Sequence, residues 1–495
     1  MAVDPRTPCI VGVAQETVRS PGPAPEPLDS WERVARAAAL DAGDPDVLAR
    51  LPSLQVVYCQ SWPYDDPVGR LADRLGATPA HRVYSGIGGT TPQVLLNRCA
   101  ESILRGELDL SLVVGAEALA TVRAVKKTGE RVAWSHRDPE RKPFPFEAVP
   151  VAAEVAHEVF QAWLTFPLFD TARRAARAAS LPGYASEIGR LLAPMTDVAA
   201  ANPHAWRPVR RTAEELSTPT PANRLVGWPY TKHEVSVLDV DMAAAVLMCS
   251  WERADALGVP DDRRIVLRGW AYGEESWTIA EREQMACSPA MAEVSTAALS
   301  AAGLGLDDIT AFDLYSCFPS SVNLALDALG RSADDGRGIT VTGGLPFAGG
   351  PASDYVLHAV ASMVERLRRD PVGAGLVSGV GMHMTKHVYA VYAGEPGVSP
   401  PKVPAGAALQ ERLDALPRRR VADSGTGPAV VAAYSVAHGR DGAAESGLLV
   451  VDLPDRTRAY ARVTDPGLLA DAEARELVGA AVTLRTDGRV NTASW

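Results

Sequence analysis

Runs of apolar residues alternate with helical periodicities over the first 120 residues. The segments 9–13, 54–59 and 110–114 are predominantly apolar, which is typical of strands buried on both faces. The segment 30–42 has apolar residues at helical spacing, and Ser30 is its predicted N-cap. This order of strands and helices predicts an α/β architecture with buried parallel strands.

A second set of elements repeats this order later in the chain. The predicted strands are 265–270, 309–315 and 375–380, and the predicted helices are 289–301 and 355–367. In both sets a Gly-rich turn leads into a helix, a charged turn follows, and an apolar strand ends in glycine. The repetition indicates two related α/β halves.

The chain between the two halves has a different composition. From about Thr121, Arg, Lys, Trp and Pro are frequent, and helical patches at 151–163, 171–178 and 184–192 predict a helical insertion. The alanine-rich segment 241–247 that follows is predicted to be a buried helix.

The last part of the chain has a β-like pattern. After a proline-rich linker, short apolar runs separated by Gly and Asp turns predict a small β-barrel of OB type. The predicted units are therefore 1–120 with 233–258 as the first half, 121–232 as the insertion, 259–395 as the second half, 396–420 as the linker, and 421–495 as the barrel.

Composition and charge restrict the class of protein. The chain has 495 residues with a formal net charge of −11, unlike the basic domains that bind nucleic acid. No apolar run approaches the roughly 20 residues of a membrane span, and the N-terminus has no signal-peptide pattern. The six cysteines are isolated in sequence, which predicts a reduced, cytoplasmic protein without a disulfide framework.

General catalytic and metal-binding motifs are absent from the sequence. The turn GIGGTTP is not a GxGxxG dinucleotide motif, and Ser378 lacks the first glycine of a GxSxG elbow. His383 and His387 are four residues apart, but no HExxH motif accompanies them. Hydrogen-bonding or structural histidines are favoured over a metal site, and no metal is predicted.

Five segments, taken in order, resemble the thiolase superfamily, closest to its sterol-carrier-type branch and to the actinobacterial thiolase-like proteins of type 1. The segments are SGIGGTTPQ, GWPYTKHEVSVLDVDMAAAVLMCSWERADALGVP, FDLYSCFPSSV, TGGLPFAGGP and TKHVYAVY. The resemblance implies a thiolase core over 1–395, with duplicated halves in five αβαβα layers and a loop-domain insertion. It also implies that 421–495 is the additional C-terminal domain of the type 1 group.

The resemblance also shows which catalytic positions are altered. Thiolases use a cysteine nucleophile, a second cysteine as acid and base, and a histidine in a GHP motif. Here the nucleophile position falls near Gly86, with Ser85 as the nearest hydroxyl. Gly350 replaces the GHP histidine, and Ser378 replaces the second cysteine. The sequence therefore predicts that the usual covalent machinery is missing.

Other polar residues remain near the expected pocket. In place of the HDCF motif the chain reads YSCF, so the cysteine stays and tyrosine replaces histidine. The candidate site residues are Tyr315 and Cys317 at a strand end, Tyr355 and His358 in the helix after the second Gly-rich turn, His383, Lys386 and His387 after the last core strand, and Ser85.

Three functions fit these residues. The first is an acyl-CoA enzyme of lipid or steroid metabolism that cleaves a C–C bond by a non-covalent retro-aldol reaction, as the steroid side-chain aldolases of this superfamily do. The second is an acetyl-CoA acetyltransferase-type enzyme with Ser85 or Cys317 as an atypical nucleophile. The third is a non-catalytic module that binds CoA esters or a partner protein.

The expected ligand in each case is an acyl-CoA thioester, with CoA as part of the substrate and no covalently bound cofactor. Phosphate contacts are predicted from the basic residues Lys126, Lys127, Arg137, Arg141, Arg210 and Arg211. The barrel has few aromatic residues and no basic groove, so it is predicted to dock on its own core and not to bind nucleic acid. Monomer and homodimer both remain open.

Overall fold

The computed structural model describes residues 3–19, 22, 24–140, 151–397 and 400–495. Its strands are β1 (Pro8–Thr17), β2 (Ser53–Val56), β3 (His81–Tyr84), β4 (Leu110–Ala118), β5 (Leu225–Trp228), β6 (Tyr230–Thr231), β7 (Asp241–Ser250), β8 (Ile265–Glu274), β9 (Ile309–Asp313), β10 (Ala374–Gly381), β11 (Lys386–Ala393), β12 (Gly427–His438), β13 (Ala444–Asp452), β14 (Arg458–Val463), β15 (Ala481–Thr486) and β16 (Asn491–Ser494). Its α-helices are α1 (Pro27–Asp41), α2 (Pro67–Leu75), α3 (Thr91–Leu104), α4 (Leu119–Lys127), α5 (Ala152–Ala156), α6 (Ala162–Ala176), α7 (Leu181–Ala201), α8 (Ala213–Ser217), α9 (Trp251–Ala256), α10 (Pro289–Ala302), α11 (Pro319–Leu329), α12 (Tyr355–Arg369), α13 (Gly406–Asp414) and α14 (Pro466–Ala474).

The strand order confirms the predicted duplication. The core strands join in the order β3-β2-β4-β7-β1-β8-β11-β10-β9. In the first half β2 is parallel to β4, and β4, β7 and β1 then pair antiparallel. The second half repeats this pattern, because β9 is parallel to β10, and β10, β11 and β8 pair antiparallel. The two halves meet where β1 pairs with β8.

The predicted helix over 241–247 is wrong, because this segment is strand β7. All its residues are buried, and its alternate side chains enter two different hydrophobic cores. Ala243 and Ala245 face one core, whereas Ala244 and Val246 face the other. Small side chains let helices approach both faces of the strand, so tertiary packing overrides the helix propensity of alanine.

Two further local predictions are corrected. Helix α1 begins at Pro27 after Glu26, so Ser30 lies inside the first turn and is not the N-cap. Lys386 and His387 belong to strand β11 rather than to a loop. His383 and His387 therefore do not share a helical face.

The C-terminal segment forms the predicted β-barrel. Strands β12, β13, β14, β16 and β15 follow one another, and the pairing of β15 with β12 closes the barrel. Strand β5 of the insertion extends this sheet by pairing with β12, and β6 follows it. Helix α13 lies in the segment predicted as linker, and α14 and β16 were not predicted.

The barrel contacts the insertion and the core through buried polar residues. The Tyr460 hydroxyl donates a hydrogen bond to the Glu154 carboxylate of α5 at 2.9 Å and accepts one from the Ala280 amide. The Asn491 amide donates to the His157 ring at 2.9 Å. These contacts hold the barrel against the rest of the chain, where it contributes to the site described below.

Candidate functional site

A cavity of about 1010 Å³ lies where the core, the insertion and the barrel meet. We call it the central cavity. The core contributes turn residues and strand ends to its wall, the insertion contributes α6 and the segment before β7, and the barrel contributes the end of β12 and parts of β13 and β14. Its lining includes Gly89, Arg123, Glu158, Gln161, Arg207, Arg224, Lys232, Ser236, Asp239, Tyr315, Cys317, Ala352, His438, Arg440, Glu445, Ser446 and Arg462.

Tyr315 is the aromatic residue that meets the Gly-rich turn inside this cavity. Its backbone amide donates a hydrogen bond to the Ser378 hydroxyl at 2.9 Å, which fixes the residue at the end of β9. Within the described part of the chain its own hydroxyl forms no hydrogen bond, although the side chain is largely buried. Burial raises the pKa of Tyr315 well above its usual value. The hydroxyl is therefore protonated and available to a ligand as a donor.

Gly89 makes the close approach between the turn and Tyr315 possible. A Cβ atom at Gly89 would collide with the Tyr315 hydroxyl and with the Val380 carbonyl oxygen. The structure places Gly89 on the central cavity, whereas Gly86 and Ser85 line a separate groove on the other side of the turn. The cavity-facing position is thus three residues beyond the one expected from the sequence.

The loop that replaces the GHP motif is packed too closely for a side chain. A Cβ atom at Gly350 would collide with the Ser236 hydroxyl. The nearby residues Ala352, Met382 and Glu158 all line the cavity with positive φ angles of 44°, 54° and 56°. Such backbone strain in residues other than glycine persists where surrounding structure enforces it, and it is frequent at functional sites.

Tyr355 supports Tyr315 from behind and does not line the cavity. Its ring packs edge-on against the Tyr315 ring, with 5.5 Å between centroids. Its hydroxyl donates to Asp313 at 2.9 Å and lies 2.6 Å from the Thr342 hydroxyl. Tyr355 therefore contacts the Tyr315 ring from outside the cavity, and its hydroxyl is engaged by Asp313 and Thr342.

Neither candidate nucleophile contacts an activating base among the described residues. The Ser85 hydroxyl donates to the Gly86 carbonyl and accepts the Tyr58 amide, both at 2.8 Å. Cys317 lines the cavity, and its thiol faces the Ser321 hydroxyl at 3.7 Å. Burial raises the pKa of Cys317 to about 12, so the thiol is protonated at neutral pH. Neither group has the base that covalent catalysis requires.

The predicted histidines lie away from the central cavity. His358 faces Gln15 at 3.0 Å, and burial lowers its pKa to about 3. His383 faces the Thr165 hydroxyl at 2.9 Å, and its pKa falls to about 4, mainly through burial. His387 lies 3.4 Å from Glu275. No group of histidine, cysteine and carboxylate side chains suited to a metal occurs in the described ranges.

The basic residues predicted to hold phosphates do not line the central cavity where they can be located. Lys126 and Lys127 are exposed at the end of α4, and Arg137 packs over Trp62. Arg210 pairs with Asp197 at 3.3 Å, and both side chains are exposed. Arg211 lines a small neighbouring cavity. Arg141 lies outside the described residues, and the phosphate-binding roles of the whole set stay predictions.

Other cations line the central cavity instead. Arg207, Arg224 and Lys232 come from the insertion, and Arg440 comes from the barrel. None of these four forms an ion pair with a carboxylate of the described residues, whereas Arg462 lies 3.4 Å from Glu158. The wall of the central cavity therefore carries four cations without a carboxylate partner among the described residues, together with the carboxylates Glu158, Asp239 and Glu445.

Sequence reasoning missed the barrel's share of the cavity. His438 lies at the wall with its ring nitrogens facing the Val436 carbonyl at 3.2 Å and the Glu473 carboxylate at 2.8 Å. Arg440 and Glu445 follow in the same hairpin. Their sequence contains no catalytic motif, and only the docking of the barrel brings them to the core.

The comparisons with known proteins agree with this architecture. The family model of the thiolase-like protein type 1 additional C-terminal domain matches residues 408–489. A monomeric SCP2-thiolase-like protein type 1 from Mycobacterium smegmatis is 32% identical, with a TM-score of 0.86 over 99% of this chain and 100% of that one. A search of curated proteins found no match.

Two more distant structures share the fold of the core. An acetyl-CoA acetyltransferase from Syntrophomonas wolfei is 15% identical, with a TM-score of 0.53 over 79% of this chain and 99% of that one. The Ltp2–ChsH2(DUF35) aldolase is 18% identical, with a TM-score of 0.59 over the same shares. At these identities the similarity shows the fold alone.

Proposed function

The chain belongs to the SCP2-thiolase-like proteins of type 1, and on that premise we propose that it binds an acyl-CoA ester in the central cavity and cleaves a C–C bond without a covalent intermediate. The substrate class is a β-hydroxyacyl-CoA. The observation that carries the proposal is the protonated Tyr315 hydroxyl beside Gly89, which has no hydrogen-bond partner among the described residues.

The proposed reaction is a retro-aldol cleavage. A proton acceptor takes the proton of the substrate β-hydroxyl, the Cα–Cβ bond breaks, and its electron pair forms the thioester enolate. Tyr315 donates a hydrogen bond to the enolate oxygen, where negative charge develops. The proton then returns to Cα, so the products are a shorter acyl-CoA and an aldehyde or ketone, and no second CoA is consumed.

The central cavity offers proton acceptors for the first step. These are the Glu158, Asp239 and Glu445 carboxylates of its wall. Asp239 pairs with Arg123, and Glu158 lies 3.4 Å from Arg462. Glu445 forms no ion pair with another described residue, and this supports it as the acceptor. An aldolase is among the structures that share the fold of the core.

An acyltransferase mechanism predicts a covalent acyl-enzyme, which mass spectrometry can detect. Incubation of the protein with an isotopically labelled acyl-CoA should give no acyl adduct on Ser85 or Cys317, because neither side chain is activated. The variant Cys317→Ser serves as a control for adventitious labelling. A stoichiometric adduct on either residue in the wild type would show that the reaction is covalent.

The two sets of cations can be distinguished by charge reversal. Arg440→Glu should weaken the binding of an acyl-CoA at least about tenfold, because it replaces a cation of the cavity wall with an anion that repels the CoA phosphates. Lys127→Glu, outside the central cavity, should change the affinity less than about twofold. Calorimetry at fixed ionic strength measures both. Equal losses of affinity in the two variants would indicate that Lys127 of α4 also contacts the phosphates.

A further inference from the structure

A second cavity of about 230 Å³ adjoins the central cavity and shares Arg207 with it. Its polar wall consists of Arg207, Arg211 and His233, and Trp206 and Phe347 supply apolar surface. No carboxylate of the described residues lines it. We call it the basic side cavity.

The backbone around the basic side cavity is fixed from two directions. The Arg207 amide donates to the Phe347 carbonyl at 2.8 Å, and the Arg211 amide donates to the Thr196 hydroxyl at 3.0 Å. On the other wall the His233 amide donates to the Asn223 side chain at 2.8 Å. The backbone that carries Arg207, Arg211 and His233 is therefore held in place on both walls.

The Arg207 and Arg211 guanidinium groups of this cavity repel each other in the free protein. Neither Arg207 nor Arg211 forms an ion pair with a carboxylate in the part of the chain described. Burial lowers the pKa of His233 to about 4, with smaller contributions from Arg211, Arg207 and Lys232 and an opposing one from Glu215. The Glu215 carboxylate is itself engaged by the Thr212 amide at 2.7 Å. The His233 Nδ1 atom is buried without a hydrogen-bond partner among the described residues.

Two guanidinium groups and an imidazole around a small cavity match a phosphate monoester. The volume of 230 Å³ exceeds the roughly 30 Å³ of one water several-fold, so it admits a phosphoryl group with its ester oxygen. Guanidinium groups bind phosphate in a bidentate manner, and a dianion neutralises two positive charges at once. A single carboxylate would neutralise only one of the two positive charges.

We propose that Arg207, Arg211 and His233 form a phosphate-monoester subsite beside the central cavity. The phosphate has two possible sources, either the 3′-phosphate of the CoA ester in the central cavity or a separate phosphate compound. The first source rests on the proposed function, whereas the second does not.

Binding at this subsite is linked to proton uptake. A dianion beside His233 favours its charged form and raises its pKa above the value in the free protein. At a pH between the His233 pKa of the free protein and that of the complex, the complex holds one more proton than the free protein. The affinity for a dianion therefore increases as the pH falls from 7 towards 5.

Sulfate tests the subsite without CoA, because it remains a dianion over this pH range. Titration of the full chain at constant ionic strength should show at least about fivefold tighter sulfate binding at pH 5 than at pH 7. Arg211→Ala should weaken the binding at least about tenfold, and His233→Phe should abolish its pH dependence. Arg210→Ala is the matched control, since Arg210 is exposed and paired with Asp197. Arg211→Lys should restore part of the affinity.

A comparison of CoA with 3′-dephospho-CoA identifies the source of the phosphate. If CoA supplies it, the wild type prefers CoA at least about tenfold and Arg211→Ala removes this preference without weakening dephospho-CoA binding. If both nucleotides bind equally while sulfate binding depends on Arg211, the subsite takes a separate phosphate. If neither nucleotide binds but sulfate binding depends on Arg211, the subsite stands and the proposed function fails. The subsite is refuted if Arg211→Ala and His233→Phe match Arg210→Ala with every ligand.

Discussion

Tyr315→Phe is expected to lower the rate of β-hydroxyacyl-CoA cleavage about 100-fold or more, because it removes the donor to the developing enolate. Binding of the acyl-CoA should change little, since the ring and its packing against Tyr355 remain. Steady-state kinetics should therefore show the loss in kcat, with KM nearly constant. Because the pKa of Tyr315 is raised, its ionisation should cause no loss of wild-type activity between pH 7 and 10.

Tyr389→Phe provides the matched control for this prediction. Tyr389 is a fully buried tyrosine of β11, and it does not line the central cavity. The same chemical change there should leave kcat within about twofold of the wild type. A Tyr315→Phe variant that loses binding and turnover together would indicate a structural tyrosine, whereas one with wild-type turnover would exclude the proposed donor.

Arg174→Met is expected to destabilise the junction between insertion and barrel by about 2–3 kcal/mol. Arg174 is almost completely buried and packs over the rings of Trp228 and Tyr434, with 5.0 and 5.6 Å to their centroids. Its guanidinium also donates to the Tyr434 hydroxyl at 3.0 Å and to Glu476 at 2.9 Å. Methionine keeps most of the volume but none of these interactions. The midpoint of urea denaturation and the proteolytic release of the barrel measure the effect.

The same substitution at Arg177 is the control for Arg174. Arg177 follows α6 directly, and it is half exposed in an ion pair with Glu187 at 3.3 Å. Exposed ion pairs contribute little, so Arg177→Met should cost less than about 0.5 kcal/mol. Equal destabilisation by the two variants would show that the barrel is not held through Arg174. If proteolysis does not release the barrel from the Arg174→Met variant, Arg174 does not hold the barrel in place.

The fold was largely predictable because buried strands and helices have distinct periodicities. The duplicated halves, the helical insertion and the closed barrel are all confirmed. Strand β7 was not predictable from local pattern, since its alanines favour a helix and only the two flanking cores select a strand. The predicted domain boundaries stay predictions, although β5 of the insertion pairs directly with β12 of the barrel.

Residues of the central cavity were predictable from the sequence only where a single short motif contains them. Tyr315 and Cys317 line the central cavity as the YSCF segment suggested. Glu158, Arg224 and Arg440 belong to segments far apart in sequence, and they meet only because the barrel docks against the insertion. The basic residues Lys126, Lys127, Arg137 and Arg141 were chosen as a cluster in the sequence, but clustering along a segment does not determine which cavity a side chain faces.

The structure describes no helix long and apolar enough to cross a membrane. The M. smegmatis relative is a monomer by its description. In this chain the core, the insertion and the barrel of one copy all contribute walls to the central cavity.

Product analysis in the absence of free CoA tests the central proposal most directly. The full-length protein is incubated with a series of β-hydroxyacyl-CoA esters, and the products are separated by liquid chromatography and identified by mass spectrometry. The retro-aldol reaction predicts equal amounts of a shorter acyl-CoA and an aldehyde or ketone, formed without added CoA and suppressed by Tyr315→Phe. Cleavage that occurs only with added CoA, or tight binding of these esters without cleavage of any, would contradict the proposal.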